Sequence, residues 1–208
     1  YLGYLLKRRR AGARVRIWEQ NPSNATFGFG VVFSDQALEF LREDDEDTYA
    51  FLDPHMESWP DLKIVHRDVA VPIDGNGFAA IGRLELLRLL QRRCIDAGVE
   101  ITFEHIVGPG GAGTGEAWPE ADLVVAADGA NSVVRGVHAA TFGTTIGERS
   151  NRFVWYGTTK VFDTLSLTFR RGEHGVFVAH HYRYSPTMST FIVECDEATW
   201  VRAGFDTL

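Results

Sequence analysis

The spacing of the hydrophobic residues changes along the chain. Up to about residue 140, segments with helical spacing, such as 1–10, 34–42 and 83–97, alternate with short apolar runs that are typical of strands. Beyond residue 150, alternating positions predict four successive strands with no long helix between them, at 152–162, 166–170, 176–184 and 189–194. This order predicts an α/β domain that is followed by an antiparallel sheet.

The first helical segment leads into the short predicted strand 14–19, which ends in Glu19. A dinucleotide-binding fold places an acidic residue at the end of its second strand, where the carboxylate binds ribose hydroxyls. Glu19 is therefore a candidate nucleotide-binding residue. The alternative is a plain helix and strand with no ligand.

In the segment 26–35, glycines alternate with phenylalanines. Because glycine lets a backbone approach a flat ligand and the rings supply apolar cover, Phe29 and Gly30 are candidate ligand contacts. The alternative is a glycine-bent strand within a core. Ser34 is predicted to cap the next helix, and the acidic residues 43–47 are predicted to form a solvated turn before a second short helix.

Two further elements are predicted between residues 62 and 98. Alternation over 62–81 is interrupted by Asp-Gly-Asn-Gly at 74–77, which predicts the turn of a β-hairpin. Residues 83–97 form the clearest amphipathic helix, with Gly98 as its stop. Arg83 stands at the start of this helix, where a cation opposes the helix dipole; an anionic ligand nearby would explain it, and an ordinary surface arginine is the alternative.

The stretch 122–135 carries the main nucleotide-binding signal. Five apolar residues from Leu123 to Ala127 predict a strand buried on both faces, and Asp128-Gly129 predicts the turn after it. Asn131 or Ser132 can then cap a short helix. A strand, a tight turn and a helix N-terminus form a socket for phosphate or ribose, although an Asp-Gly pair alone is also a plain turn signal.

Composition excludes several kinds of partner. The chain has 208 residues, 45% of them hydrophobic, and a formal charge of -7, which argues against nucleic acid. Cys94 and Cys195 have no metal-ligand spacing, so a reduced, cytoplasmic protein without a metal or a disulfide is expected. No run approaches the roughly 18 apolar residues of a membrane span, and the glycine-rich segment 108–115 lacks the Lys-Ser/Thr pair of a phosphate-binding loop, which predicts a connector. The chain starts without Met inside a predicted helix, so we expect a fragment.

The stretch 122–135 resembles the Asp-Gly motif of the FAD-dependent aromatic hydroxylases, the family with the p-hydroxybenzoate hydroxylase fold. Asp128, Gly129, Ser132 and Arg135 stand at its matching positions. The resemblance implies that these residues contact FAD and the co-substrate NAD(P)H, and that Arg83 contacts FAD. It also implies a Rossmann-like FAD-binding domain, here without its first strand and Gly-rich turn, followed by an antiparallel substrate-covering sheet.

One branch of this family is especially similar to the chain. The blocks that resemble the amino-terminal flavin part of salicylyl-CoA 5-hydroxylase and 2-aminobenzoyl-CoA monooxygenase lie at 17–19, 26–35, 77–81, 155–158, 189–194 and 202–206. This resemblance implies hydroxylation of an aromatic acyl-CoA thioester by O2 through a flavin C4a-hydroperoxide. The alternatives are a free aromatic or polyketide substrate, or a truncated non-catalytic binding module.

The predicted domains are a partial FAD-binding domain at 1–140 and the start of an antiparallel substrate domain at 141–208, with the hairpin 62–81 in the second layer. A phenol or aniline substrate is activated by losing a proton, so a base or proton relay is useful. His180 and Tyr182 are the candidates because strand alternation puts them on one face, with His181 on the other. A core or surface role is the alternative.

Overall fold

The computed structural model describes residues 1–108, 111–112 and 121–207, so most of the predicted connector 108–115 lies outside the described residues. The helices are α1 (Leu2–Arg9), α2 (Asp35–Asp44), α3 (Glu46–Leu52), α4 (Arg83–Asp96), α5 (Val133–Val137), α6 (Ala139–Phe142) and α7 (Glu197–Arg202), with single 3-10 turns at Asp53–His55 and Phe205–Thr207. The strands are β1 (Arg16–Trp18), β2 (Gly30–Ser34), β3 (Glu57–Trp59), β4 (Leu62–His66), β5 (Val69–Ile73), β6 (Phe78–Gly82), β7 (Glu100–Thr102), β8 (Val107–Gly108), β9 (Gly111–Ala112), β10 (Arg152–Thr158), β11 (Leu165–Arg171), β12 (Val176–Ser185) and β13 (Met188–Cys195).

The chain divides into two compact units. The first consists of Tyr1–Ala25 and Leu90–Glu148, and the second of Thr26–Leu89 and Arg149–Leu208. The sequence-based domain boundary near residue 140 stays a prediction. The predicted fold class is confirmed, because helices and strands alternate early in the chain and an antiparallel sheet follows.

In the first unit, β1 and β7 pair in parallel, with Arg16 opposite Glu100. Tyr4, Cys94 and Val99 are buried together, and partly buried aliphatic side chains, among them Ile17 of β1, pack against them. The predicted first helix and first strand are therefore confirmed. Gly98 has a φ of +80°, which suits its predicted role as the stop after α4.

The apolar run 123–127 forms no strand. Leu123, Val124 and Val125 are 67%, 47% and 51% exposed, and their backbone has no regular secondary structure. The predicted strand, buried on both faces, is therefore wrong for the described chain. Such a strand needs neighbours for its backbone hydrogen bonds, and none of the described strands pairs with this run. Hydrophobicity shows that a segment would gain from burial but does not specify what covers it.

The second unit contains a six-stranded sheet in the order β10-β13-β12-β11-β4-β5 and an antiparallel three-stranded sheet in the order β2-β6-β3. The four late strands are antiparallel neighbours, as predicted, whereas β11 and β4 pair in parallel. One core of this unit contains Trp59, Ala80, Leu165 and Tyr182, and so brings side chains of both sheets together.

The predicted hairpin turn at 74–77 is wrong. The hairpin joins β4 to β5 through Arg67 and Asp68, which have φ values of 51° and 64°. Two positive φ values in a two-residue loop suit the twist of a tight hairpin. At 74–77 the chain instead leaves β5 and enters β6, which pairs with β2 and β3. The glycines there signal a reversal of direction and do not identify which strands pair.

The acidic stretch 43–47 is only partly solvated, contrary to the prediction. Asp45 is 1% exposed and caps α3 by accepting hydrogen bonds from Thr48 N and Thr48 Oγ1 at 3.3 and 2.6 Å. The predicted cap at Ser34 is confirmed, because its Oγ accepts from Ala37 N at 3.2 Å.

Both cysteines are buried and free. Within 1–108, 111–112 and 121–207, no group of His, Cys, Asp and Glu is arranged to ligate a metal ion. No helix among the same residues has the length and apolar character needed to cross a membrane.

Candidate functional site

Asp128 organises the turn that follows the exposed apolar run. Its Oδ1 accepts a hydrogen bond from Ser132 Oγ at 2.6 Å, and its Oδ2 accepts from Val133 N and Val134 N at 2.7 and 3.3 Å. The Ser132 hydroxyl, followed by the two backbone amides, holds the pKa of Asp128 below its usual value. Both carboxylate oxygens therefore stabilise the start of α5.

Ser132 and Arg135 complete this turn. Ser132, one of the two predicted candidates, is the N-cap of α5, and its Oγ accepts a hydrogen bond from Arg135 N at 3.0 Å. The Arg135 guanidinium donates to the carbonyl oxygen of Ala130, and no ion pair between Arg135 and Asp128 is present among the described residues. Gly129 has a φ of +81°, and apart from its two chain neighbours none of the described residues lies within 4 Å of where its Cβ would be. The motif is thus a folded, exposed loop, and its contacts with a nucleotide stay a prediction.

Glu19 lies directly after β1 and is half-buried. Its Oε1 accepts hydrogen bonds from the backbone N and the side-chain Nδ2 of Asn21, at 2.7 and 2.8 Å. These two bonds fix the carboxylate at the strand end, and Oε2 has no partner among the described residues. A ribose hydroxyl could donate to that oxygen, so the geometry fits the predicted role.

Arg83 joins the head of α4 to the segment before β2. Its backbone N donates to Phe29 O at 2.7 Å, and its Nε donates to Thr26 Oγ1 at 3.1 Å. The side chain is exposed, and within the described chain its two terminal nitrogens have no partner. Nearby, Phe27 and Phe29 are 81% and 38% exposed. Exposed rings beside an available cation fit a ligand that combines an aromatic ring with an oxyanion.

The glycines of segment 26–30 make room for protein side chains. A Cβ on Gly28, which has a φ of +85°, would lie 2.5 Å from Trp155, and one on Gly30 would lie 2.8 Å from Tyr184. A Cβ on Gly157 would in turn lie 2.6 Å from Phe29. The backbone at these three glycines is therefore approached closely, as the glycine pattern predicts. The groups that approach it are aromatic side chains of the same chain, whereas the prediction was a flat ligand.

A buried hydrogen-bond network holds Gly30 from both sides. Tyr182 donates its hydroxyl to Gly30 O at 3.0 Å, while Thr190 Oγ1 accepts from Gly30 N at 3.2 Å and from Trp155 Nε1 at 2.9 Å. Tyr182 is 4% exposed and Thr190 is fully buried. Burial raises the pKa of Tyr182 to about 12, so the phenol stays protonated at neutral pH. This geometry supports a positioning role for Tyr182 more than a proton relay, and its catalytic role stays a prediction.

The two neighbouring histidines of β12 have different surroundings. His180 is half-buried on the same face as Tyr182. His181 lies on the other face, where its ring centroid is 4.1 Å from that of Phe162 and its Nε2 is 3.0 Å from Thr168 Oγ1. Burial, and then the ammonium groups of Lys160 and Lys63, lower the pKa of His181 to about 4. Sequence reasoning did not single out Trp155, Thr190 or Tyr184, because their importance depends on contacts with residues far away in the chain.

Comparisons with known proteins agree with this architecture. No protein-family model matches the chain. It is 41% identical over 206 residues to salicyloyl-CoA 5-hydroxylase of a Streptomyces species. This alignment covers 99% of the chain and 39% of that protein. It is 36% identical over 188 residues to 3-hydroxy-4-methyl-anthranilyl-[aryl-carrier protein] 5-monooxygenase of Streptosporangium sibiricum, covering 90% of the chain and 51% of that protein. The chain therefore spans about two fifths of the first relative and about half of the second.

Solved structures show the same fold. The tetrameric form of 2-methyl-3-hydroxypyridine-5-carboxylic acid oxygenase matches 95% of the chain and 56% of its own, with a TM-score of 0.76 and 18% identity. PqsL of Pseudomonas aeruginosa, a probable FAD-dependent monooxygenase, matches 100% of the chain and 58% of its own, with a TM-score of 0.71 and 17% identity. At such low identity, these two matches support the fold alone.

Proposed function

The chain is related in sequence to monooxygenases of aromatic substrates and has the fold of FAD-dependent hydroxylases, and on this premise we propose that it is the flavin-binding part of a monooxygenase acting on an aromatic acyl-CoA thioester. The observation that carries the proposal is the 41% identity to salicyloyl-CoA 5-hydroxylase over 99% of the chain. Similarity at this level extends through both compact units. We propose in addition that the chain belongs to a longer protein, because it covers 39% of that relative.

FAD is the cofactor that this proposal requires. Arg83 would hold an anionic or carbonyl oxygen of FAD through its terminal nitrogens, and Glu19 would accept a hydrogen bond from a ribose hydroxyl through Oε2. Phe29 would supply apolar cover, with Gly30 fixed beside it by the Tyr182 and Thr190 hydrogen bonds. Bound FAD, reduced by NAD(P)H, would supply the activation of O2 that no amino-acid side chain provides.

The chain itself contributes binding, orientation and exclusion of water. The Asp128 turn keeps Gly129 open and leaves the Arg135 side chain only partly buried, so both would be accessible to a nucleotide. His180 is the group of the large sheet that we assign to proton removal from the substrate, because it is half-buried and its neighbour Tyr182 is committed to Gly30. Trp155 and Tyr184 pack where side chains of Gly28 and Gly30 would lie, and Gly30 is buried, so these rings would help to keep water away from that end of segment 26–30.

The substrate class is tested by turnover of the complete, flavin-loaded protein. Salicylyl-CoA and free salicylate would be compared at equal concentration, and both NAD(P)H oxidation and the hydroxylated product would be measured. We expect product with the thioester at a rate at least about tenfold higher than with the free acid, since the CoA part adds binding energy. Product formed equally well from the free acid would contradict the thioester assignment.

The presence of flavin has a simpler test. The purified complete protein should show the visible absorbance of oxidised flavin at one equivalent per chain. A colourless protein that neither binds added FAD nor oxidises NAD(P)H would overturn the enzymatic proposal and favour a binding module.

A further inference from the structure

A cavity lies on the face of the six-stranded sheet opposite to Tyr182. Its volume is about 490 Å³, and its lining residues are Tyr156, Thr158, Lys160, Phe162, His181 and Phe191. Phe191 of β13 stands directly between Tyr156 of β10 and His181 of β12 in the strand register, which puts the three side chains in one row. Side chains alternate along a strand, so this row faces away from the neighbouring row of Gly157, Thr190 and Tyr182. The cavity is therefore separate from the residues that hold Gly30.

The walls of the cavity are rings with nearly parallel planes. The His181 and Phe191 rings are inclined by 19° with centroids 5.5 Å apart, and the Phe162 and Phe191 rings are inclined by 22° with centroids 6.1 Å apart. Planar apolar walls of this kind favour a flat ring, which can stack on them or meet them edge-on. The volume lies in the range of pockets that hold small organic ligands.

The charged groups around the cavity are cationic. The Lys160 ammonium lies 5.4 Å from the Phe162 centroid, and its backbone N is fixed by a hydrogen bond of 3.1 Å to Thr158 Oγ1. No ion pair of Lys160 is present among the described residues. Lys63 of β4 stands in the same register row as His181, with Ser166 of β11 between them, and adds a second positive charge on this face. The charged side chains that act on the His181 ring include both lysines and no carboxylate.

We propose that this cavity binds a planar aromatic carboxylate, with the ring between Phe162, Phe191 and Tyr156 and the carboxylate against the Lys160 ammonium and the Thr158 hydroxyl. An aromatic ring and one anionic group match the two features of the lining, and a carboxylate accepts hydrogen bonds from both donors. This site is distinct from the proposed catalytic face, and it stands whether or not the protein is a monooxygenase.

The test is calorimetric titration of the complete protein with benzoate, without NAD(P)H, in wild type and three variants. Lys160→Gln removes the cation at an exposed position and should weaken this site at least about tenfold, the effect of losing one charge-assisted hydrogen bond. Thr158→Val, which removes the second donor, should weaken it in the same direction. His180→Gln, on the opposite face of β12, is the matched control and should leave the affinity of this site unchanged.

Each outcome decides the proposal. If benzoate also occupies the catalytic face, two binding events are expected in wild type, and Lys160→Gln should remove one of them. Benzoate that does not bind, or that binds Lys160→Gln and Thr158→Val as tightly as wild type, would overturn the site. Affinity lost only in His180→Gln would place the ligand on the other face and would overturn it as well.

Discussion

At the residue scale, Thr190 joins segments that are far apart in the sequence. Its hydroxyl accepts hydrogen bonds from Gly30 N, 160 positions earlier, and from the Trp155 indole. Tyr182 binds the other backbone group of the same glycine. Because all these groups are buried or partly buried, the loss of one partner leaves a polar atom without its hydrogen bond, which costs more than the bond itself contributes.

The first prediction is that Tyr182→Phe destabilises the protein by about 1–2 kcal/mol, because Gly30 O loses a buried donor. Urea unfolding of the complete protein measures this change. Tyr184→Phe is the matched control, since the Tyr184 hydroxyl has no hydrogen-bond partner in the described part of the chain and only its ring packs on Gly30. Equal losses in the two variants would show that the hydroxyl of Tyr182 contributes nothing specific.

The second prediction concerns pH. The pKa of His181 is about 4 in the folded protein, below the ordinary value of 6.5, so between these values the unfolded chain binds a proton that the folded chain does not. The stabilising contribution of the neutral ring is fully present above pH 6.5 and is lost as the pH falls towards 4. His181→Asn should therefore lose less stability than wild type between pH 7 and pH 4.5.

Urea midpoints at the two pH values measure this difference, with His180→Asn as the control that removes the neighbouring ring from the opposite face. A wild type and a His181→Asn variant with the same change in midpoint would show that His181 does not cause the acid sensitivity.

At the element scale, the residues of the turn before α5 that stabilise the helix differ from the residue that we expect to contact a nucleotide. Ser132 and Asp128 hydrogen-bond the first turn of the helix, whereas Arg135 donates to one exposed carbonyl. A helix cap contributes about 1 kcal/mol, so Ser132→Ala should lower the local stability of α5 by about that amount. Hydrogen exchange of the α5 amides in the complete protein measures this effect.

The third prediction is that Arg135→Ala raises the apparent KM for NAD(P)H and slows flavin reduction, while the melting temperature stays within a few degrees of wild type. An exposed hydrogen bond or ion pair contributes at most about 1 kcal/mol to folding, which is why stability should hardly change. Stopped-flow reduction measures the rate at several NAD(P)H concentrations. Rates that match wild type at every concentration would leave the motif a structural turn in this protein.

At the scale of the whole molecule, the fourth prediction is that Glu19 and Arg83 both contribute to FAD affinity. Each keeps a polar group without a partner among the described residues, and the loss of one charge-assisted hydrogen bond costs about 1.5–3 kcal/mol, or roughly ten- to a hundredfold in affinity. Flavin titration of the complete apoprotein with Glu19→Ala and with Arg83→Ala measures this loss.

Arg88→Ala is the matched control for Arg83, because Arg88 is an exposed arginine of the same helix. Unchanged flavin affinity in Glu19→Ala and Arg83→Ala would show that neither side chain contributes to FAD binding. A loss in Arg88→Ala equal to that in Arg83→Ala would indicate a general effect of charge on the affinity.

The sequence by itself determined the features that depend on neighbouring residues. Short-range hydrogen bonding and periodicity predict the cap at Ser34, a cap at Asn131 or Ser132, helix α4 with its stop at Gly98, and the four late strands. The resemblance carried by the Asp-Gly motif and segment 26–35 also identified the related enzymes correctly. These signals lie within about ten consecutive residues, so they can be detected without knowledge of the fold.

Only the tertiary structure decided which segments meet. The glycines at 74–77 lead from one sheet into another, the tight hairpin turn lies at Arg67 and Asp68, and the space beside Gly28 and Gly30 is filled by Trp155 and Tyr184. The tertiary structure also determined that His181 lines a cavity, whereas the next residue, Tyr182, donates a hydrogen bond to the Gly30 carbonyl oxygen. The physical reason is that strand pairing and burial depend on partners that lie outside the local segment, as Trp155 does for Gly28, and a local pattern of apolar and polar residues does not specify those partners.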